Sequence, residues 1–135
     1  MTDARSRHLL RSAPYFPVAD VTASVAHYET VLGFHCDYVG GSPARFAIVS
    51  RDGLPIMFRQ VAAPERIVPG ERQGGTWDVF FWVLDARGLH EELRARGADV
   101  VYGPIVQHEY RMLEFAVRDR DGHVLGFGQE LTDEG

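Results

Sequence analysis

Cysteine is all but missing from this chain. Its 135 residues include one, Cys36, which excludes an intrachain disulfide and any Cys-rich zinc site. Cys36 follows Phe34 at the start of an expected strand and reads as a small, buried apolar residue, not a nucleophile. Long apolar runs are missing too. None approaches the roughly 20 residues that a helix needs to span a bilayer, so no membrane partner is expected. Residues 1–12 are polar and basic, without an apolar stretch of signal-peptide length, and the expected location is the cytoplasm. There is no basic block: 14 Lys and Arg positions are scattered through a chain of net charge −5, a poor surface for nucleic acid. No Ser-His-Asp grouping and no phosphate-cradling glycine loop stands out. Asp119-Arg120-Asp121-Gly122 has the opening acids of a calcium loop but none of its later ligands, so a hairpin turn is expected there.

What is present is a phrase said twice. Phe16-Pro17-Val18-Ala19-Asp20 opens one half and Phe81-Trp82-Val83-Leu84-Asp85 the other. Each is followed by an amphipathic stretch that ends on a glycine, Gly33 and Gly97, and each half later carries an Asp-Gly turn, Asp52-Gly53 and Asp121-Gly122. Hydrophobic content of 45% and charged content of 24% suit one globular domain with a real core. The expected organisation is an N-terminal arm over 1–12, a first module over 13–61, a linker over 62–76, a second module over 77–130 and a tail over 131–135.

Spacing sets the elements. Asp20 is the expected N-cap of a helix whose apolar face is Val21, Val25, Tyr28 and Leu32, and Gly33 is its left-handed stop. Strands are expected over 15–18, 34–39, 45–50 and 54–61, the last two joined through Asp52-Gly53. The second half repeats this with a strand over 77–84, a cap at Asp85 and a helix led by Leu89 and Leu93. Strands follow over 100–102, 112–118 and 123–129. Gly103-Pro104 is expected to close the sixth strand, with an irregular crossing over 106–110. His90 is expected to be solvated. Each half therefore reads βαβββ. The fold class is α+β, two such modules forming a curved mixed sheet with a concave site and helices outside.

The order of Asp20-(helix)-Tyr28-Leu32-Gly33-Phe34 and Phe115-Asp119-Asp121-Gly122-Phe127 resembles the vicinal oxygen chelate superfamily, which includes glyoxalase I, extradiol dioxygenases and bleomycin-resistance proteins. The resemblance covers roughly residues 13–130. Glu109-Tyr110-Arg111-Met112-Leu113-Glu114-Phe115 is most similar to the bleomycin-resistance-like branch. That branch often has Gly where Arg111 stands and Arg where Leu113 stands, so Glu114 lacks its usual neighbour and is expected to pair with Arg111 or Arg59.

The resemblance implies four metal-ligand positions in the enzymes of the superfamily, filled there by His, Glu or Gln. In this chain they fall on Ala13, Met57, Asp78 and Gly126. Only Asp78 could hold a hard divalent cation, and one carboxylate does not make a site. No metal and no cofactor is therefore expected. The resemblance then implies a metal-independent binding protein, a homodimer that sequesters an antibiotic-like small molecule, cationic or aromatic, in clefts between subunits.

Strand parity nominates the lining. Met57 and Arg59, then Asp78, Phe80 and Trp82, then Met112 and Glu114 are expected to face the cavity, with His108 and Tyr110 on the crossing beside them. Phe80 and Trp82 serve either as a platform for a ring or cation or as filling between modules. Asp78 and Glu114 suit a ligand amine. Arg59 suits a ligand carboxylate or pairs with Glu114. The competing expectation is a lyase or isomerase, metal-free or with unorthodox ligands, in which His108, Glu114 and Asp78 are the acid–base candidates.

Overall fold

A computed structural model describes residues 7–132. The expected arm and tail run beyond it, residues 1–6 and 133–135 lying outside the described residues. The first module is β1 (Tyr15–Val18), α1 (Val21–Thr30), β2 (His35–Gly40), β3 (Phe46–Arg51) and β4 (Leu54–Gln60). The second is β5 (Val79–Trp82), α2 (Ala86–Ala95), β6 (Asp99–Gln107), β7 (Met112–Arg118) and β8 (Val124–Glu130). Each module closes its own four-stranded mixed sheet, ordered β1-β4-β3-β2 and β5-β8-β7-β6. In each, the first strand lies parallel to the fourth, Tyr15 beside Met57 and Val79 beside Leu125. The α+β class and the two βαβββ modules are as the sequence predicts. No helix among the described residues is long and apolar enough to cross a membrane.

The caps form as their chemistry requires. Asp20 accepts from the Ala23 N–H at 3.0 Å and Asp85 from the Gly88 N–H at 3.0 Å. Val21, Ser24, Val25 and Tyr28 make the buried face of α1. Gly33 and Gly97 sit just past the helices at φ of +73° and +93°, a conformation that costs an L side chain.

Alternation then sorts the strands. Phe16, Val18, Ala47, Val49, Ile56 and Phe58 of the first module and Leu113, Phe115, Val117, Leu125 and Phe127 of the second share one continuous core with Val21, Val25 and Tyr28 of α1 and Ala86 and Leu93 of α2. The residues between them in sequence fall on the other face of each sheet, where neither α1 nor α2 lies.

Two clasps join the modules, each built on a turn of one module and the helix end of the other. The Tyr28 hydroxyl donates to Asp119 at 2.7 Å, the Ala19 N–H donates to Asp121 at 3.1 Å, and Phe16 stacks on His123 at 4.3 Å. Burial pushes the Asp119 carboxyl up, opposed by His123 and by the hydrogen bonds it accepts. At the second clasp, Arg51 donates to both oxygens of Glu92, at 2.8 and 2.7 Å, and to the Leu32 carbonyl at 2.9 Å.

Several local expectations need correction. The sixth strand does not end at Gly103-Pro104. It runs from Asp99 to Gln107 with register shifts on either side of Tyr102. Gly103, at φ +86°, lies where a side chain would run into the Glu114 carbonyl, so the irregularity is absorbed within the strand. His90 is not fully solvated: it is half-buried, its ring edge-on to Phe115 at 5.2 Å. The linker folds into short 3-10 turns at Pro64–Arg66 and Gly70–Gln73. There Glu71 grips Arg118 through two bonds of 3.0 and 2.9 Å. Cys36 is half-buried against the core, and burial pushes its thiol up, which suits packing better than nucleophilic work.

The Arg51 guanidinium holds the Glu92 carboxyl below the ordinary value of 4.5. A carboxylate with a lowered folded pKa adds stability above its unfolded value and loses it as pH falls through the folded one. Glu92→Gln is expected to cost about 1 kcal/mol at neutral pH, its partly exposed setting limiting the effect. The cost should shrink as the pH falls below 4.5. Urea unfolding across that range checks this, and a cost independent of pH would refute it.

Candidate ligand-binding site

The helix-free face of the second sheet is aromatic. Strand β5 lies at the sheet edge, with Val79 and Phe81 against the core and Phe80 and Trp82 on the opposite face. Trp77, just before the strand, packs on Phe80 at 4.6 Å, and Phe80 meets Trp82 edge-on at 5.1 Å. These rings lie over two glycines of β8, since Phe80 is registered with Gly126 and Trp82 with Gly128. A Cβ on Gly126 would come within 2.6 Å of the Trp77 indole nitrogen and 2.8 Å of the Phe80 ring. Only a bare backbone lets the rings settle there. The resulting recess has a volume of about 430 Å³ and is lined by Trp77, Phe80, Trp82, Tyr110, Met112 and Glu130. Trp82 is 67% exposed and Tyr110 48% exposed, so much of this aromatic surface is left open.

Beside it is a buried acid. Glu114 sits on the inner strand β7 with 1% of its surface exposed. The Tyr110 and Tyr102 hydroxyls donate to the same oxygen, Oε1, at 2.8 and 3.0 Å. The Trp77 indole N–H donates in turn to the Tyr102 oxygen at 2.8 Å. The other oxygen, Oε2, is buried and has no hydrogen-bond partner among the described residues. An unanswered buried acceptor costs on the order of 1–3 kcal/mol, more when charged, so Oε2 is an uncompensated acceptor inside the sheet. Burial pushes the Tyr102 and Tyr110 phenols up, and the bond and charge of Glu114 push further, to about 12 in each.

The remaining nominated residues are dispersed. Asp78 accepts from the Gly70 N–H with one oxygen and from the Val124 N–H with the other, both at 2.8 Å. It ties the linker to β8. Met57 and Arg59 lie on the helix-free face of the first sheet. The Arg59 guanidinium sits 5.1 Å over the Tyr15 ring and donates to the Tyr15 carbonyl at 3.3 Å. The expected pairing of Glu114 with Arg59 or Arg111 is replaced by the two tyrosines, and Arg111 donates to the Thr132 carbonyl at 3.0 Å. His108 and Glu109 are exposed on the β6–β7 turn.

Sequence reasoning did not include Trp77, Tyr102 or Glu130 in the lining. Trp77 opens the expected strand over 77–84, Tyr102 ends the expected strand over 100–102, and Glu130 lies just past the expected last strand over 123–129. The usable signal was the aromatic character of Trp77 and Tyr102 flanking strands already assigned to the site.

The donors present do not fit the superfamily metal. Ala13 offers a methyl group, Met57 a thioether, Gly126 no side chain, and both oxygens of Asp78 are engaged by backbone N–H groups. None of this suits a hard divalent cation. Among the described residues, no three His, Cys, Asp or Glu side chains are gathered around a common point. Asp78, Glu114 and His108 are therefore not brought together.

Comparison with known proteins bears on this geometry. The family model of the Glyoxalase/Bleomycin resistance protein/Dioxygenase superfamily matches residues 7–127. No curated protein matches. Among solved structures, TioX from Micromonospora sp. ML1 is 23% identical, covers 90% of this chain and 99% of its own, and superposes with a TM-score of 0.71. The bleomycin-binding protein from bleomycin-producing Streptomyces verticillus, complexed with copper(II)-bleomycin, is 22% identical over 93% and 99% of the two chains, TM-score 0.64. The bleomycin resistance determinant encoded on transposon Tn5 is 18% identical over 92% and 100%, TM-score 0.67. At these identities the likeness is one of fold.

Glu114→Gln is expected to bring the Tyr102 and Tyr110 phenols partway down from about 12, since burial remains when the charge is gone. Tyr28, raised by burial and Asp119, should stay high. An NMR titration of ring-labelled tyrosine separates the three. Unchanged Tyr102 and Tyr110 values would mean that Glu114 does not govern them.

Proposed function

Given that the chain belongs to the glyoxalase/bleomycin resistance protein/dioxygenase superfamily, we propose that it is a metal-independent binding protein that sequesters a small aromatic or cationic molecule of the antibiotic-like kind. One observation carries this reading: open aromatic rings stand beside a buried carboxylate, one of whose oxygens has no partner. Indole and phenol faces hold a planar ring or a cation. A few placed polar groups in an apolar recess orient a ligand. The fold shared with a protein bound to copper(II)-bleomycin supports a small-molecule role and does not name the ligand.

The protein acts as a cytoplasmic homodimer in this reading. Tyr15, Tyr38 and Trp82 are 49%, 55% and 67% exposed on one chain, and a second copy would cover such faces. Met57 and Arg59 of one copy then line a cleft with Phe80, Trp82, Tyr110, Met112 and Glu114. The competing lyase or isomerase reading draws on the unpartnered oxygen of Glu114. It is disfavoured by the other two acid–base candidates, since Asp78 is fully hydrogen-bonded and His108 is exposed on a turn.

Isothermal titration calorimetry with N-methylquinolinium, a planar cation, and with bleomycin tests the proposal. At least one is expected to bind saturably, to be recovered unchanged, and to keep its affinity when a chelator is added. Trp82→Ala should weaken binding about tenfold or more, about 1.4 kcal/mol, and sedimentation should report a dimer. Binding that is absent, or indifferent to Trp82→Ala, sinks the reading, and loss of binding with chelator sinks its metal independence.

A further inference from the structure

We propose that a second recess, between the first sheet and the linker, is an anion site for an apolar carboxylate. It has a volume of about 380 Å³. Its walls are Pro17, Val61, Ala62, Ala63 and Ile67, and the charged groups that line it are the guanidiniums of Arg59 and Arg66. No acidic residue lines it among the described residues. This goes beyond the function proposed above: Arg59 is common to both, whereas the recess, Arg66 and the ligand class are not.

The chemistry follows from the charges and what surrounds them. Arg51, Arg96 and Arg118 each bond a carboxylate, Glu92 for the first two and Glu71 for the third. No such ion pair is formed by Arg59 or Arg66 among the described residues. Two like charges sharing a recess with apolar walls repel, and the repulsion is relieved by an anion between them. Arg59 is already oriented, held over the Tyr15 ring and by its bond to the Tyr15 carbonyl. That bond uses one N–H of a group that has five. The planar fork left over matches the two oxygens of a carboxylate.

An apolar body has a place beside that fork, against Pro17, Val61, Ala62, Ala63 and Ile67. The charge of the recess is positive, with Arg59 at the end of β4 and Arg66 on the linker turn. A recess that combines guanidiniums with apolar walls selects an apolar acid over its neutral counterpart.

The test is calorimetry with 1-naphthylacetate and with 1-naphthylacetamide, which has the same rings and no charge. The acid is expected to bind about tenfold tighter, with the margin narrowing as salt is added. Arg66→Gln should remove most of that preference and the Arg59→Gln/Arg66→Gln pair all of it. Equal affinities, no binding of either compound, or a preference that survives the double variant would overturn the proposal. Thermal melts show whether the variants are folded. Arg66 makes no hydrogen bond through its side chain among the described residues, so Arg66→Gln decides the matter even if Arg59→Gln unfolds. Failure here together with Trp82-dependent binding of the planar cation leaves the proposed function standing, and the reverse outcome leaves the anion site standing alone.

Discussion

One ten-residue helix can cover only one face of a four-stranded sheet. Each module of this chain has one such helix, α1 or α2, and four strands to shelter. The covered faces fuse into one core that runs through both modules. Neither α-helix lies on the other faces, which linker residues reach at Arg118 and beside Arg59. Every functional feature described above sits on those free faces, and their existence follows from the ratio of helix to sheet.

The free face of the second sheet has been made into a site by subtraction and burial together. Gly126 and Gly128 remove side chains from β8, and Trp77, Phe80 and Met112 move into the space. Met112 and Glu114 thereby become buried on a face that faces no helix. The acid is tolerated because Tyr102 and Tyr110 satisfy one oxygen. Gly126 stands at one of the positions that the resemblance to the superfamily's enzymes assigns to a metal ligand. In this chain aromatic rings occupy the space that a side chain there would need.

Much of the fold was legible from local rules. Asp20 and Asp85 announced their helices, Gly33 and Gly97 ended them, and Asp52-Gly53 and Asp121-Gly122 marked the turns. Parity assigned Phe80, Trp82, Met112 and Glu114 to one face because the period of a strand is two and does not drift over seven residues. Legibility failed where structure departs from that period. Tyr102 was read as the end of a strand because Gly103-Pro104 ordinarily breaks one, and only pairing with β7 carries β6 past it. Asp78 was read as facing the cavity because parity was extended beyond β5 into the loop. There its carboxylate is claimed by two backbone N–H groups, one of them 46 residues away.

The sequence by itself determined the modules, their elements and which residues share a face, because each of these depends on neighbours within a few positions. It also determined the poverty of metal donors at the four superfamily positions, since no packing can give a donor atom to Ala13 or Gly126. Only the tertiary structure decided the partners. Glu114 meets Tyr102 and Tyr110 instead of an arginine, Arg59 lies on Tyr15 beside Arg66, and Asp119 clasps Tyr28 from 91 residues away. Those pairings are set by how sheets register and modules dock. Such long-range geometry is the sum of many small packing terms, and no short stretch of chain encodes it.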